Sequence, residues 1–84
     1  MRFDEIWSNI SRCAGQEFHT KTGLSFTYTA TDGCVIPDRT NYPLTKKQFQ
    51  QAAEIPNLTG PGQISNKVRG SSYVFAILTD PRIR

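Results

Sequence analysis

Residues 59–84, TGPGQISNKVRGSSYVFAILTDPRIR, contain the feature on which the predicted fold depends. The longest apolar run of the chain, residues 73–78, lies in this stretch, and we expect the other elements to pack against it. A serine cap at Ser71 or Ser72 and the stop at Asp80-Pro81 predict a helix over residues 72–79. A strand over 73–78 is the alternative, because Tyr, Val, Phe and Ile also favour β-structure.

Two further helices are predicted upstream of that run. Pro61 suits a first helical position, and Gly70 suits a stop, which predicts a helix over residues 61–69. Thr45 and Gln48 have the spacing of a capping box, and they predict a helix over residues 46–54. The staple pair Leu44 and Phe49 and the Ile55-Pro56 stop support these bounds.

The N-terminal part of the chain shows both helical and strand periodicity. Apolar side chains recur at helical spacing and predict a helix over residues 2–14, with Trp7 as its core anchor. Alternating apolar residues and the Asp32-Gly33 turn then predict a three-stranded antiparallel meander. Its strands are expected at residues 16–20, 24–30 and 34–37.

These elements predict one α+β domain over residues 1–84. It has an N-terminal helix, the meander, and two to three short helices packed on one sheet face. No apolar stretch has the length of a membrane span, and acids interrupt the N-terminus where a signal peptide needs an apolar core. We therefore expect a cytoplasmic protein in which Cys13 and Cys34 are free thiols.

The charges are distributed unevenly between the two halves of the chain. Residues 1–38 carry three basic and five acidic side chains, whereas residues 39–84 carry seven basic and two acidic ones. The second half therefore has a charge of +5, which predicts an anionic partner; a basic but merely solvated surface is the alternative.

Few residues suit metal or catalytic chemistry. The soft ligands Cys13, His19 and Cys34 match no zinc spacing, and the single histidine has no evident nucleophile partner. The glycine-rich segment 59–62 lacks the Lys-Ser/Thr ending of a phosphate loop. We therefore predict no metal, no cofactor and no enzymatic activity.

The order helix, glycine-containing turn, helix over residues 64–79 resembles a helix-turn-helix. The ending ILTDPRI, residues 77–83, resembles the phrase L-x-x-D-P-R-hydrophobic, which closes the recognition helix in winged-helix domains attached to restriction enzymes. As a whole, the chain resembles small bacterial open-reading-frame products. The resemblance implies DNA binding. The expected outward face of the last helix has no Arg, Asn or Gln for base contacts, so binding of low sequence specificity is expected. The predicted contact residues are basic or hydroxyl side chains of the second half: Arg39, Lys46, Lys47, Lys67, Arg69, Ser71, Ser72, Arg82 and Arg84.

A protein–protein module without a nucleic-acid role is the other class that the sequence supports. Phe75, if it faced outward beside Tyr42, would form an aromatic patch with arginine at its rim, as in a homodimeric adaptor or inhibitor.

Overall fold

The computed structural model describes residues 3–31, 33–40, 42–55, 60–64 and 70–83. The predicted α+β class is confirmed, with an N-terminal helix, antiparallel strands and later helices in that order. In chain order the elements are α1 Phe3–Arg12, β1 Phe18–His19, β2 Ser25–Phe26, β3 Tyr28–Thr31, β4 Cys34–Pro37, β5 Leu44–Thr45, α2 Lys46–Ala53, a 3₁₀ turn Pro61–Gln63, and α3 Ser71–Leu78.

The strands form two small antiparallel sheets rather than one meander. β1 pairs with β2, and β4 lies between β3 and β5. The predicted strand 24–30 is divided at Thr27, because its N–H donates to Asp38 Oδ1 at 3.1 Å and its carbonyl accepts from the Asp38 N–H at 2.8 Å. Thr27 is thereby bonded to the turn after β4 and leaves the ladder with β1.

The hairpin between β3 and β4 follows the prediction closely. Thr31 lies opposite Cys34, and Gly33 has the positive φ of 73° that a tight hairpin turn requires. β5 was not predicted. It adds to the hairpin because Leu44 pairs with Val35, and both side chains are fully buried.

α1 and α2 confirm the first two predicted helices. α2 begins with the predicted capping box: Thr45 Oγ1 accepts from the Gln48 N–H at 3.3 Å, and Gln48 Oε1 accepts from the Thr45 N–H at 2.8 Å. Of the predicted helix 61–69, the described part is the 3₁₀ turn with buried Ile64 after it, and residues 65–69 lie outside the described residues.

α3 confirms that the apolar run is helical, but its predicted serine cap is wrong. Gly70 is the N-cap, in the left-handed conformation at φ 69°, and Ser71 and Ser72 occupy the first helical turn. A Cβ on Gly70 would lie 2.9 Å from Leu44 Cδ2, so the start of α3 packs directly on β5. This close approach, together with the positive φ, explains why glycine rather than serine occupies the cap.

α3 is the central element of the core. It packs against α2, β1 and the 3₁₀ turn, and four of its eight side chains are buried: Val74, Ala76, Ile77 and Leu78. Tyr73 and Phe75 are half-buried against the same core. Trp7 anchors α1 as predicted, since its ring meets Phe49 of α2 edge-on at 5.7 Å between centroids.

Candidate nucleic-acid interface

The nine predicted contact residues do not form one group in the described structure. Lys67, Arg69 and Arg84 lie outside the described residues. The other six lie at four places on the fold: Arg39 after β4, Lys46 and Lys47 at the start of α2, Ser71 and Ser72 at the start of α3, and Arg82 after α3.

Arg82 is held by the protein itself. Its guanidinium donates to both carboxylate oxygens of Asp80 at 2.9 and 3.0 Å, to Gln16 Oε1 at 3.0 Å and to the Glu17 carbonyl at 2.8 Å. Its Cζ atom also lies 4.0 Å from the ring centroid of Phe18. These contacts fix the guanidinium across β1, and they give Arg82 a structural role that its sequence position did not indicate.

The segment that carries Arg82 is docked along its length. Ile83 is fully buried, and its carbonyl accepts a hydrogen bond from Asn9 Nδ2 at 2.9 Å. The hydrogen bonds from Arg82 hold the pKa of the Asp80 carboxyl below its ordinary value. Residues 80–83 therefore close the core between α1 and β1.

Tyr28 lies under this segment in the core. Burial, and secondarily the Cys13 thiol, raise the pKa of the Tyr28 phenol above its ordinary value. Its hydroxyl donates to the Ile10 carbonyl at 2.6 Å, near the end of α1. This phenol is a structural hydrogen-bond donor, with no role in the candidate interface.

Arg39 is exposed at the opposite end of β4 from α2. Its Nε donates to the Ser25 carbonyl at 2.6 Å, whereas the Lys46 N–H at the other end of the hairpin donates to the Gly33 carbonyl at 2.8 Å. The four residues of β4 span about 13 Å, so the backbone of Arg39 and that of the α2 lysines lie at opposite ends of this strand.

Lys46 and Lys47 are exposed in the first turn of α2. That turn contains no acid, and the positive end of the helix dipole disfavours cations there. The first turn of α3 also lacks acids, but its N-cap Gly70 packs against the fully buried Leu44 side chain. Of the predicted basic contact residues that the structure describes, Lys46 and Lys47 are therefore the two that lie next to each other, exposed, at a helix N-terminus.

Lys46 connects this surface to aromatic rings that were not predicted as site residues. Its Nζ atom lies 5.9 Å from the ring centroid of Trp7, which is half-buried on α1. Phe3, also half-buried, stacks on Trp7 at 6.2 Å between centroids. The i, i+4 spacing of Phe3 and Trp7 predicts that the two rings are neighbours, but the approach of Lys46 depends on how α1 packs on α2.

The opposite side of α1 is acidic and polar. A shallow groove there is lined by Asp4, Glu5, Ser8, Asn9 and Arg12. Within the described ranges, no group of three or more His, Cys, Asp or Glu side chains is placed to hold a metal ion. Cys13 and Cys34 are free thiols, the first buried and the second half-buried.

Comparison of the chain with protein-family models, with curated proteins and with solved structures finds no match. None of the helices in the described part of the chain has the length and apolar character needed to cross a membrane. The function is therefore argued from the residues of this chain alone.

Proposed function

We propose that this domain binds nucleic acid by its phosphate backbone, at the surface where α2 begins. The observation that carries the proposal is the pair of exposed lysines, Lys46 and Lys47, in a first helical turn that has no acid to balance them. Cations at this position oppose the helix dipole and cost the fold a fraction of a kilocalorie per mole each, on the order of 0.3–1 kcal/mol. A bound phosphate would remove that cost, because it interacts favourably with both the lysines and the helix end.

Base-specific contacts from α3 have little support. A recognition helix in the major groove needs an exposed polar face. Half of the side chains of α3 are buried, and Ser72 is exposed at its start. The proposal is therefore backbone binding with low sequence specificity, and it does not depend on a helix-turn-helix geometry.

The test is fluorescence anisotropy with a labelled oligonucleotide at about 50 mM salt, where phosphate contacts are strong. The double variant Lys46→Glu/Lys47→Glu is expected to weaken binding at least tenfold. It should also lower the slope of log affinity against log salt by about 1.8 for a duplex, since each lost phosphate contact removes about 0.9.

Arg12→Glu is the matched control. It reverses one positive charge, half the change made by the double variant, at an exposed position on the acidic side of α1, and it is expected to leave affinity and salt slope nearly unchanged. No binding by the wild-type chain at micromolar concentration, or equal losses in the α2 double variant and the control, would overturn the proposal.

Binding of a protein partner is the second candidate function. Phe75 and Tyr42 are both half-buried against the core, so only part of each ring could contribute to the aromatic patch expected from the sequence. Light scattering separates the two classes. A stable dimer of the wild-type chain with no affinity for oligonucleotides would favour the protein partner.

A further inference from the structure

We infer that residues 80–83 form a strap that opens while the rest of the core stays folded, and that its opening controls access to the Cys13 thiol. This conformational device is independent of nucleic-acid binding. It depends on the position of the strap beside Cys13 and on the few contacts that hold the strap in place.

The strap is attached to the chain on both sides of Cys13. Asn9 Nδ2 donates to the Ile83 carbonyl at 2.9 Å, and the Arg82 guanidinium donates to Gln16 Oε1 at 3.0 Å. Cys13 lies between these two attachment points, since its N–H donates to the Asn9 carbonyl at 3.0 Å and its carbonyl accepts from the Gln16 N–H at 3.1 Å.

The Cys13 thiol is covered when the strap is closed. Cys13 is buried in the same core cluster as Tyr28 and Ile83. Burial, and then the thiol, raise the pKa of the Tyr28 phenol. The hydrogen bond with Asp80, and to a smaller extent the thiol, raise the pKa of Arg82. These effects are those of a group close to both the phenol and the strap, so we expect opening of the strap to expose the sulfur.

The strap has fewer attachments than the elements around it. Among the described residues, no backbone–backbone hydrogen bond joins it to α1 or β1, and its own backbone bonds run to Ile77 and within the strap. Pro81 and Arg82 are exposed, and Ile83 is its one fully buried side chain. Segments with few buried apolar contacts and exposed hydrogen bonds open locally, without unfolding of the whole chain. α3 ends at its own cap, Thr79, before the strap begins.

Labelling with iodoacetamide measures this opening. The sulfur of Cys13 displaces iodide when it is exposed, and its rate is compared with the rate in the urea-unfolded chain. Trypsin separates Cys13 from Cys34, because Lys21 lies between them, so mass spectrometry follows both thiols in one sample. Cys34 is half-buried on β4, which none of the described bonds of the strap reaches, and it serves as the internal control.

The dependence on urea separates local opening from global unfolding. Its slope scales with the surface that is exposed, and opening of a four-residue strap exposes little surface. Below the unfolding transition, we expect Cys13 to be labelled more slowly than in the unfolded chain, at a rate that changes little with urea. Labelling that rises with urea as steeply as the global unfolding constant, or that is as fast as in the unfolded chain, would overturn the inference.

Variants of the strap should accelerate the labelling of Cys13 selectively. Ile83→Ala is expected to raise the rate at least tenfold and Arg82→Ala about fivefold, while the rate at Cys34 stays unchanged. Ile64→Ala is the matched control, because it removes the same atoms from another fully buried isoleucine outside the strap. It should lower global stability and leave the labelling of Cys13 at low urea near the wild-type rate.

Two results with these variants would show that the strap does not control the thiol. One is equal acceleration by Ile64→Ala and Ile83→Ala, and the other is no acceleration by either strap variant. If Ile83→Ala does not fold, the urea series of the wild-type chain and the rate in Arg82→Ala still decide the matter.

Discussion

Arg82 and the Lys46–Lys47 pair are both basic sites in the second half of the chain, but the fold treats them in opposite ways. The Arg82 guanidinium donates to Asp80, Gln16 and the Glu17 carbonyl and covers the Phe18 ring. The two lysines are exposed in a helical turn without an acid. The comparison shows that the positive charges of the second half include a cation that the fold uses and cations that remain exposed.

The difference follows from local chemistry. The planar guanidinium can satisfy several acceptors at once, and residues 80–83 bring it to a carboxylate two positions away and to the chain before β1. An ammonium at the start of α2 meets N–H donors and the positive end of the dipole, so the helix itself provides no acceptor for it. Arg82 is therefore expected to affect stability, and the lysines are expected to affect binding.

Replacing Arg82 should have the largest effect on stability. We expect Arg82→Ala to lower the free energy of unfolding by about 1–2 kcal/mol, a value reduced for the partial exposure of the guanidinium. Urea denaturation monitored by Trp7 emission measures this change. Binding of oligonucleotides by the folded variant should remain near the wild-type value.

Arg12→Ala is the control for Arg82→Ala. The Arg12 side chain is exposed and bonds to Asn9 within the same helix, so its loss should cost less than about 0.5 kcal/mol. Equal effects of the two variants on stability would show that the contacts of Arg82 do not stabilise the fold. A loss of oligonucleotide affinity in Arg82→Ala would show that Arg82 takes part in binding, as proposed for the lysines.

The second-largest expected effect is a dependence of stability on pH that arises from the Asp80 carboxyl. Hydrogen bonds from Arg82 lower the pKa of Asp80 in the folded chain below the ordinary value of 3.8. The unfolded chain therefore binds more protons between the two pKa values, and stability rises with pH through that window. The contribution is complete at neutral pH, decreases as pH falls below the ordinary pKa, and is lost below the folded pKa.

This dependence can be isolated with Asp80→Asn. The wild-type chain should lose its stability advantage over the variant as pH is lowered from about 5 towards 2. Urea midpoints across this range, at constant ionic strength, measure the difference. A difference that is constant with pH would contradict the assignment of the lowered pKa to the Asp80–Arg82 pair.

The sequence predicted the parts of the molecule that depend on local rules. The capping box at Thr45 and Gln48, the turn at Gly33 and the helical state of residues 71–78 depend on neighbours within a few residues, and each is present. The split at Thr27 could not be predicted in this way, because it depends on a bond to Asp38, eleven residues away. The Gly70 cap likewise depends on contact with Leu44.

The same limit applies to the candidate interface. Charge counting selected Lys46 and Lys47, which are exposed, but it also selected Arg82, which the fold uses. Residues 82 and 17 are 65 positions apart in the sequence, so no local pattern predicts the contact between them. Trp7 was predicted as a core anchor, and its position beside Lys46 depends on the packing of α1 against α2. Local patterns therefore predicted the helices well, whereas the surroundings of the charged side chains depend on tertiary packing.

The smallest expected effect on stability is that of a substitution at Lys47. It separates the two basic sites most sharply, because it should raise the free energy of unfolding, whereas Arg82→Ala should lower it. Lys47→Glu places a carboxylate in the first turn of α2, where the dipole favours it, and should raise the free energy of unfolding by about 0.3–1 kcal/mol at low ionic strength. The same substitution removes a proposed phosphate contact, so oligonucleotide affinity should fall. Lys47→Gln, which removes the charge without reversing it, should lie between the two chains in both measurements. Added salt should reduce the gain in stability, since the dipole interaction is screened. If Lys47→Glu instead destabilises the chain, then the fold holds this lysine as it holds Arg82, and the start of α2 is not a surface kept for an anion.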